Sequence, residues 1–150
     1  MKKETVVDII SSLFIILFLY TGLMKLIDRL TFDTALHKSH LLYKVAPVLI
    51  WLVPIGELLI ALCLILPKTR RLGLYGSFLL MSIFTLYVGD MIYFGSHLPC
   101  TCGGIIQYMN WHQHFYFNSC FTILALVGLW LDKKRRSQEI NNFNCISYTS

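Results

Sequence analysis

Val45-Ala-Pro-Val-Leu-Ile-Trp-Leu-Val-Pro-Ile-Gly-Glu-Leu-Leu-Ile-Ala-Leu-Cys-Leu-Ile-Leu66 is a run of 22 residues with one charged side chain, Glu57. A helix that crosses the hydrocarbon core of a bilayer needs about 20 predominantly apolar residues. Such a run also satisfies its own backbone hydrogen bonds, which lipid cannot do for it. The stretch therefore reads as a transmembrane helix. Pro47 falls in its first turn, where proline is tolerated. Pro54 falls inside it, where neighbouring helices can compensate for the missing hydrogen bond.

Working outward, three further stretches have the same character: about Val6–Ile27, Leu72–Phe94 and Phe115–Leu131. Together the four use most of the 150 residues, so a second globular domain has no room. The composition agrees. The chain is 56% hydrophobic and 14% charged, against about 25% charged residues in soluble domains. The first stretch follows Met1-Lys2-Lys3-Glu4, which resembles the start of a signal peptide. Its apolar run is too long for a signal core, and Tyr20-Thr21-Gly22-Leu23-Met24 is a poor cleavage site, so an uncleaved first span is expected. Short connections imply antiparallel neighbours. The expected fold is all-α, a four-helix up-down bundle over residues 1–136 followed by a polar, disordered tail over 137–150.

Positive charge sets the expected sidedness. Lys2, Lys3, Lys68, Arg70, Arg71, Lys133, Lys134, Arg135 and Arg136, nine of the thirteen basic residues, lie on one side of the four spans. Lys25, Arg29, Lys38 and Lys44 lie on the other, and the Gly95–His114 connection carries none. Both termini are then cytoplasmic, in a bacterial inner membrane. The net charge of +5 reflects this asymmetry, and nothing in the chain suggests a nucleic-acid module. Trp111 and Trp130 frame the fourth span; nineteen residue steps at 1.5 Å cover about 28 Å. The first span is expected to break near Asp28, with Arg29–Lys44 either a short amphipathic surface helix or an exposed loop.

The chemistry concentrates at the outer side, in Pro99-Cys100-Thr101-Cys102-Gly103-Gly104. Outside the cytoplasm disulfides persist. Cysteine alpha-carbons two residues apart can approach the separation that a disulfide tolerates, and so small a ring favours an exchangeable bond. Gly103 and Gly104 offer backbone amides that favour a thiolate. A fixed structural disulfide, or a soft metal site completed by His97, His112 or His114, are the other readings of these residues. Histidine is the side chain used for proton transfer near neutral pH, so His112 and His114 are candidates to exchange protons with a thiol or quinol. In an extended segment, being two residues apart, they would point to the same side. Cys120, about one turn into the fourth span, reads as a packing residue or a third exchanging thiol. Cys63 and Cys145, on the cytoplasmic side, read as a core residue and a reduced tail thiol.

Glu57 is twelve positions into its span, about 18 Å from the outer boundary. A carboxylate at that depth needs a partner or a cavity. Lys25 and Asp90, each near the outer end of a span, are candidates to pair with one another.

Gly22-Leu23-Met24-Lys25-Leu26, Pro54-Ile55-Gly56-Glu57, and Cys100-Thr101-Cys102-Gly103-Gly104 followed by Trp111, His114 and Asn118 resemble the methylamine-utilisation MauE family, in the broader DoxX-like group. The likeness runs from about Val6 to Leu131. It implies a small four-span membrane protein linked to disulfide formation in the methylamine dehydrogenase small subunit. It makes Cys100 and Cys102 the redox pair. Glu57, Lys25, Trp111, His114 and Asn118 become family positions, of which Glu57, Lys25, Trp111 and Asn118 are candidates to hold a cofactor. Related bundles such as vitamin K epoxide reductase pass electrons between thiols and a quinone, an analogy of fold. Those enzymes carry Cys-x-x-Cys where this chain has Cys-x-Cys, so redox poise does not transfer.

The expected function is therefore a membrane thiol–disulfide redox protein. Its redox-active disulfide would be Cys100–Cys102, and His114 or His112 would move protons. Its client would be periplasmic, and the electron partner either a soluble thioredoxin-like protein or a quinone held between the helices. The competing expectations are a non-enzymatic maturation scaffold, a metal-handling protein, and a subunit of a quinone-linked sulfur oxidase.

Overall fold

The computed structural model describes residues 3–38, 42, 44–93 and 111–147. Among them the chain forms five α-helices and no strand: α1 (Lys3–Ile27), α2 (Arg29–Lys38), α3 (Ala46–Ile65), α4 (Arg70–Tyr93) and α5 (Trp111–Ser147). Four of these contain windows long and apolar enough to cross a membrane, over Thr5–Ile27, Ala46–Ile65, Arg70–Asp90 and His112–Lys134. The protein is a multi-pass, all-helical membrane protein. The four spans form a ring in chain order, with α1 beside α3 and α5, and α4 beside α3 and α5. Consecutive helices run antiparallel, so the up-down bundle expected from the short connections is the observed one.

Each span turns one narrow face inward. On α1 this face is Val7, Ile10, Phe14, Phe18, Thr21 and Lys25, at steps of three or four residues. On α3 it is Pro54, Glu57, Ala61 and Leu64, and on α5 His114, Asn118, Ala125 and Asp132. This is the spacing that keeps one stripe of a helix against its neighbours. The outward faces carry exposed Ile16, Leu52, Leu79, Leu86 and Ile123. In water such a surface would be an aggregation liability. In lipid it is the solvated side.

Span hydroxyls are satisfied locally. Ser11, Thr21, Ser77, Ser82, Thr85 and Thr122 each donate to the carbonyl four residues earlier, at 2.7–2.9 Å. Thr85 and Thr122 also meet across α4 and α5 at 3.2 Å. The Pro67–Arg71 turn is tight, as its sequence suggests. The Thr69 hydroxyl donates to Cys63 O at 3.0 Å, satisfying a carbonyl at the end of α3. Gly73 follows, at a close approach: a Cβ there would stand 2.8 Å from the Leu64 side chain and 2.9 Å from its backbone nitrogen. At this end Arg70 also bridges α4 to Asp8 of α1 at 2.6 Å.

At the other end of the bundle α1 breaks at Asp28, as expected, and the chain continues as α2. The surface helix is the correct reading of Arg29–Lys38. Its apolar side, Phe32 and Leu36, packs on the first turns of α3 with Leu42, Leu49, Ile50 and Val53. Arg29 stacks on Trp51 of α3, its guanidinium 4.4 Å from the ring centre. One expectation fails. Residues 137–147, read from their Asn and Ser content as unstructured, continue α5 as helix to Ser147. Helix propagation from an already formed span costs far less than nucleation, so a polar segment of modest propensity can extend it.

A buried ion pair with unpartnered neighbours

The inward faces meet in a polar group near the ends of α1 and α5. Lys25 Nζ donates to Glu57 Oε1 at 2.5 Å, and the two side chains are 3% and 1% exposed. The partner of Lys25 is thus Glu57 and not Asp90. The reason is an offset between helices that spacing within one helix cannot show. Lys25 lies two residues before the end of α1. The first turns of α3 pack on α2, so Glu57 is level with the last turn of α1. Gly22 permits this approach: a Cβ there would already stand 3.4 Å from Glu57 Cβ and 3.3 Å from Leu58.

Two aromatic rings complete the surroundings of the ammonium. The Phe84 and Phe32 ring centres are 5.2 and 5.8 Å from Lys25 Nζ. Ring faces partly replace the water that a buried cation loses.

Three polar atoms of this group lack partners. Glu57 Oε2, His114 Nδ1 and Asn118 Nδ2 are buried and unbonded. Buried polar groups are almost always hydrogen-bonded, so these three atoms, which face one space from α3 and α5, leave hydrogen-bonding capacity for water or a ligand. They line one small cavity of about 30 Å³ with Thr21, Lys25, Met81, Phe84 and Phe117. That volume suits one or two waters. A second chamber of about 140 Å³ adjoins it, lined by Phe32, Leu36, Leu42, Leu49, Val53, Ile83, Tyr87 and Val88. Lys25, Phe84 and His114 border both spaces.

A family model described as methylamine utilisation protein MauE matches residues 3–131. The chain belongs to that family. No curated protein and no solved structure matches the chain. The MauE match takes in the first three spans and most of the fourth, the Lys25–Glu57 pair, His114, Asn118 and the Cys100/Cys102 segment, and it ends one residue before the buried Asp132.

Of the residues singled out from sequence, Lys25, Glu57, His114 and Asn118 come together. His112 does not join them. Because α5 begins at Trp111, the segment is helical and not extended, and two positions along a helix turn about 200°. His114 is buried and His112 is exposed on the other side. Trp111 opens α5. Cys120 is exposed on α5 and Cys63 is half-buried on α3, both as free thiols; packing in the core is therefore not what Cys120 does. Cys100, Cys102 and His97 lie outside the described residues, and Cys145 is in the helical extension of α5. Among the described residues no three His, Cys, Asp or Glu side chains gather as a metal-binding group.

Sequence reading missed Thr21, Phe32 and Phe84. Thr21 was within reach, because it lies four residues before Lys25 and so on the same face. Nothing in the sequence marks Phe32 or Phe84 among the ten phenylalanines of the chain.

Proposed function

We propose that this MauE-family protein is a thiol–disulfide redox protein of the bacterial inner membrane, with both termini cytoplasmic and Cys100 and Cys102 as its exchanging pair on the outer side. The observation that carries the reading is one of chain order. The Cys-x-Cys segment joins α4 to α5, and α5 brings His114 into the buried group within its first turn. A thiol pair, a titratable imidazole and a desolvated ion pair with spare hydrogen-bonding capacity are what two-electron, two-proton chemistry needs.

A client thiolate attacks one sulfur of the Cys100–Cys102 disulfide. A new S–S bond to the client forms as the old one breaks, and the displaced thiolate takes up a proton. The client's second thiolate then attacks the mixed disulfide, which leaves an oxidised client and a Cys100/Cys102 dithiol. Restoring the disulfide removes two electrons and two protons, to a thioredoxin-like partner or to a quinone. His114 is the residue suited to move a proton; His112, exposed on the other face of α5, is not in the buried group.

The test is the thiol state of the pair in intact cells, read by mass spectrometry after a membrane-impermeant maleimide. The expected result is no labelling of Cys100 or Cys102 until mild reductant is added. Free labelling without reductant, or oxidation of the client that survives Cys100→Ser with Cys102→Ser, overturns the reading. Survival in the double variant would leave a non-enzymatic maturation scaffold as the function.

A further inference from the structure

We infer that the chamber roofed by α2 binds the head of a lipid-soluble, single-ring quinone, with a ring oxygen at the floor beside Lys25 and His114. The inference rests on the thiol-exchange reading only for the source of electrons; the binding site is argued from the cavity itself.

Three properties of the chamber choose the ligand. The first is size. An apolar cavity of about 150 Å³ admits benzene, and this one is about 140 Å³. It takes one six-membered ring and not two fused rings. The second is the wall. Phe32 and Leu36 of α2, Leu49 and Val53 of α3, and Phe84 and Val88 of α4 are apolar, so the ligand's body is apolar and it arrives from the bilayer.

The third is the floor. Lys25 is already neutralised by Glu57, so the floor carries no spare positive charge to recruit a carboxylate or phosphate. A fatty acid or a phospholipid headgroup is a poor match. A neutral ligand with oxygen at its polar end is a good one. Behind Lys25 and His114, the small polar cavity supplies an orphan acceptor in Glu57 Oε2 and an orphan donor in Asn118 Nδ2. The floor itself serves both redox forms: Lys25 donates to a quinone oxygen, and the His114 imidazole, whose Nδ1 has no partner, accepts from a quinol hydroxyl or donates according to its tautomer. When bound, a quinone supplies an acceptor for the two electrons and two protons released as the Cys100/Cys102 dithiol closes to a disulfide. His114, bordering both spaces, passes protons between the floor and the group around Glu57.

The experiment uses the full chain in lipid nanodiscs and a benzoquinone carrying one decyl chain. Binding is read as ligand retained after gel filtration and as a rise in the thermal unfolding midpoint. A decyl naphthoquinone and decanol are the comparison probes. Saturable binding of the single-ring compound is expected, at least tenfold tighter than either comparison. Val53→Phe, which fills the chamber, and His114→Ala, which removes a floor group, should each weaken it about tenfold while the helical fold and protein yield are kept. Cys100→Ser with Cys102→Ser should leave binding unchanged, so loss of exchange activity and loss of the quinone site are separately visible. Equal binding of the double-ring compound or of decanol overturns the assignment. So does retention that neither Val53→Phe nor His114→Ala alters, which would mean partition into lipid only.

Discussion

Replacing Glu57 with Gln leaves the Lys25 ammonium in the bundle without its counter-charge. At the observed 2.5 Å, and an effective dielectric of about 20, the direct attraction is about 7 kcal/mol. Desolvation of both groups offsets much of this, so the pair is not worth that much to the fold. Removing one partner of a buried pair nevertheless costs about 3–5 kcal/mol, because the remaining charge stays desolvated. The Phe32 and Phe84 rings still face the ammonium, at distances near the limit of such contacts, and soften the loss by about 0.5 kcal/mol each. The expected cost of Glu57→Gln is therefore about 2–4 kcal/mol, with Lys25→Met similar. The double variant carries no stranded charge and should be destabilised by much less than the two single costs together. The assay is a double-mutant cycle by SDS unfolding in mixed micelles, followed by helical circular dichroism. The expected coupling is above about 2 kcal/mol, against an average near 0.6 kcal/mol for ordinary interhelical hydrogen bonds in a membrane. A coupling at or below that average would refute the reasoning, since the two groups would then be solvated independently of one another.

Further outcomes follow from the packing. Gly73→Ala should cost about 1–3 kcal/mol, because its methyl would meet the Leu64 side chain and backbone nitrogen at under 3 Å. Gly56→Ala, with nothing within 4 Å of the added carbon, should instead leave stability unchanged or raise it by up to about 1 kcal/mol; the same unfolding assay compares the two. Gly22→Leu should separate α1 from α3 and abolish the Lys25–Glu57 coupling in a repeated cycle, since even a Cβ there is in close contact with Leu58. His112→Ala should leave thiol exchange and quinone binding unaltered while His114→Ala impairs both, read by client oxidation and ligand retention; equal effects would mean that burial does not decide which imidazole matters.

Glu57 illustrates how far the sequence could be read. A single carboxylate in a 22-residue apolar run announces that something must face it. Which residue faces it depends on how far α3 extends past α1, and that offset is set by α2 folding onto the first turns of α3 through Phe32 and Leu36. The histidines make the same point at shorter range. Whether His112 and His114 share a side turns on whether the chain is already helical at Trp111, a boundary that local sequence marks poorly. The 137–147 extension of α5 was illegible because the segment is rich in Asn and Ser, which are modest helix formers, and its helicity is inherited from the span before it.

The sequence by itself determined the number of spans, their antiparallel order, the break at Asp28 and the presence of a carboxylate, Glu57, inside a span. Those follow from one-dimensional quantities: the length of apolar runs against the thickness of a bilayer, the positions of charge, and the reluctance of lipid to accept an unpaired polar group. Tertiary structure alone decided that Lys25 answers Glu57, that His114 and not His112 turns inward, and that α2 closes an apolar chamber above them. Each depends on the axial offset and rotation of one helix against another. Those are fixed by side-chain packing between segments distant in the chain, which no pattern within a single helix records.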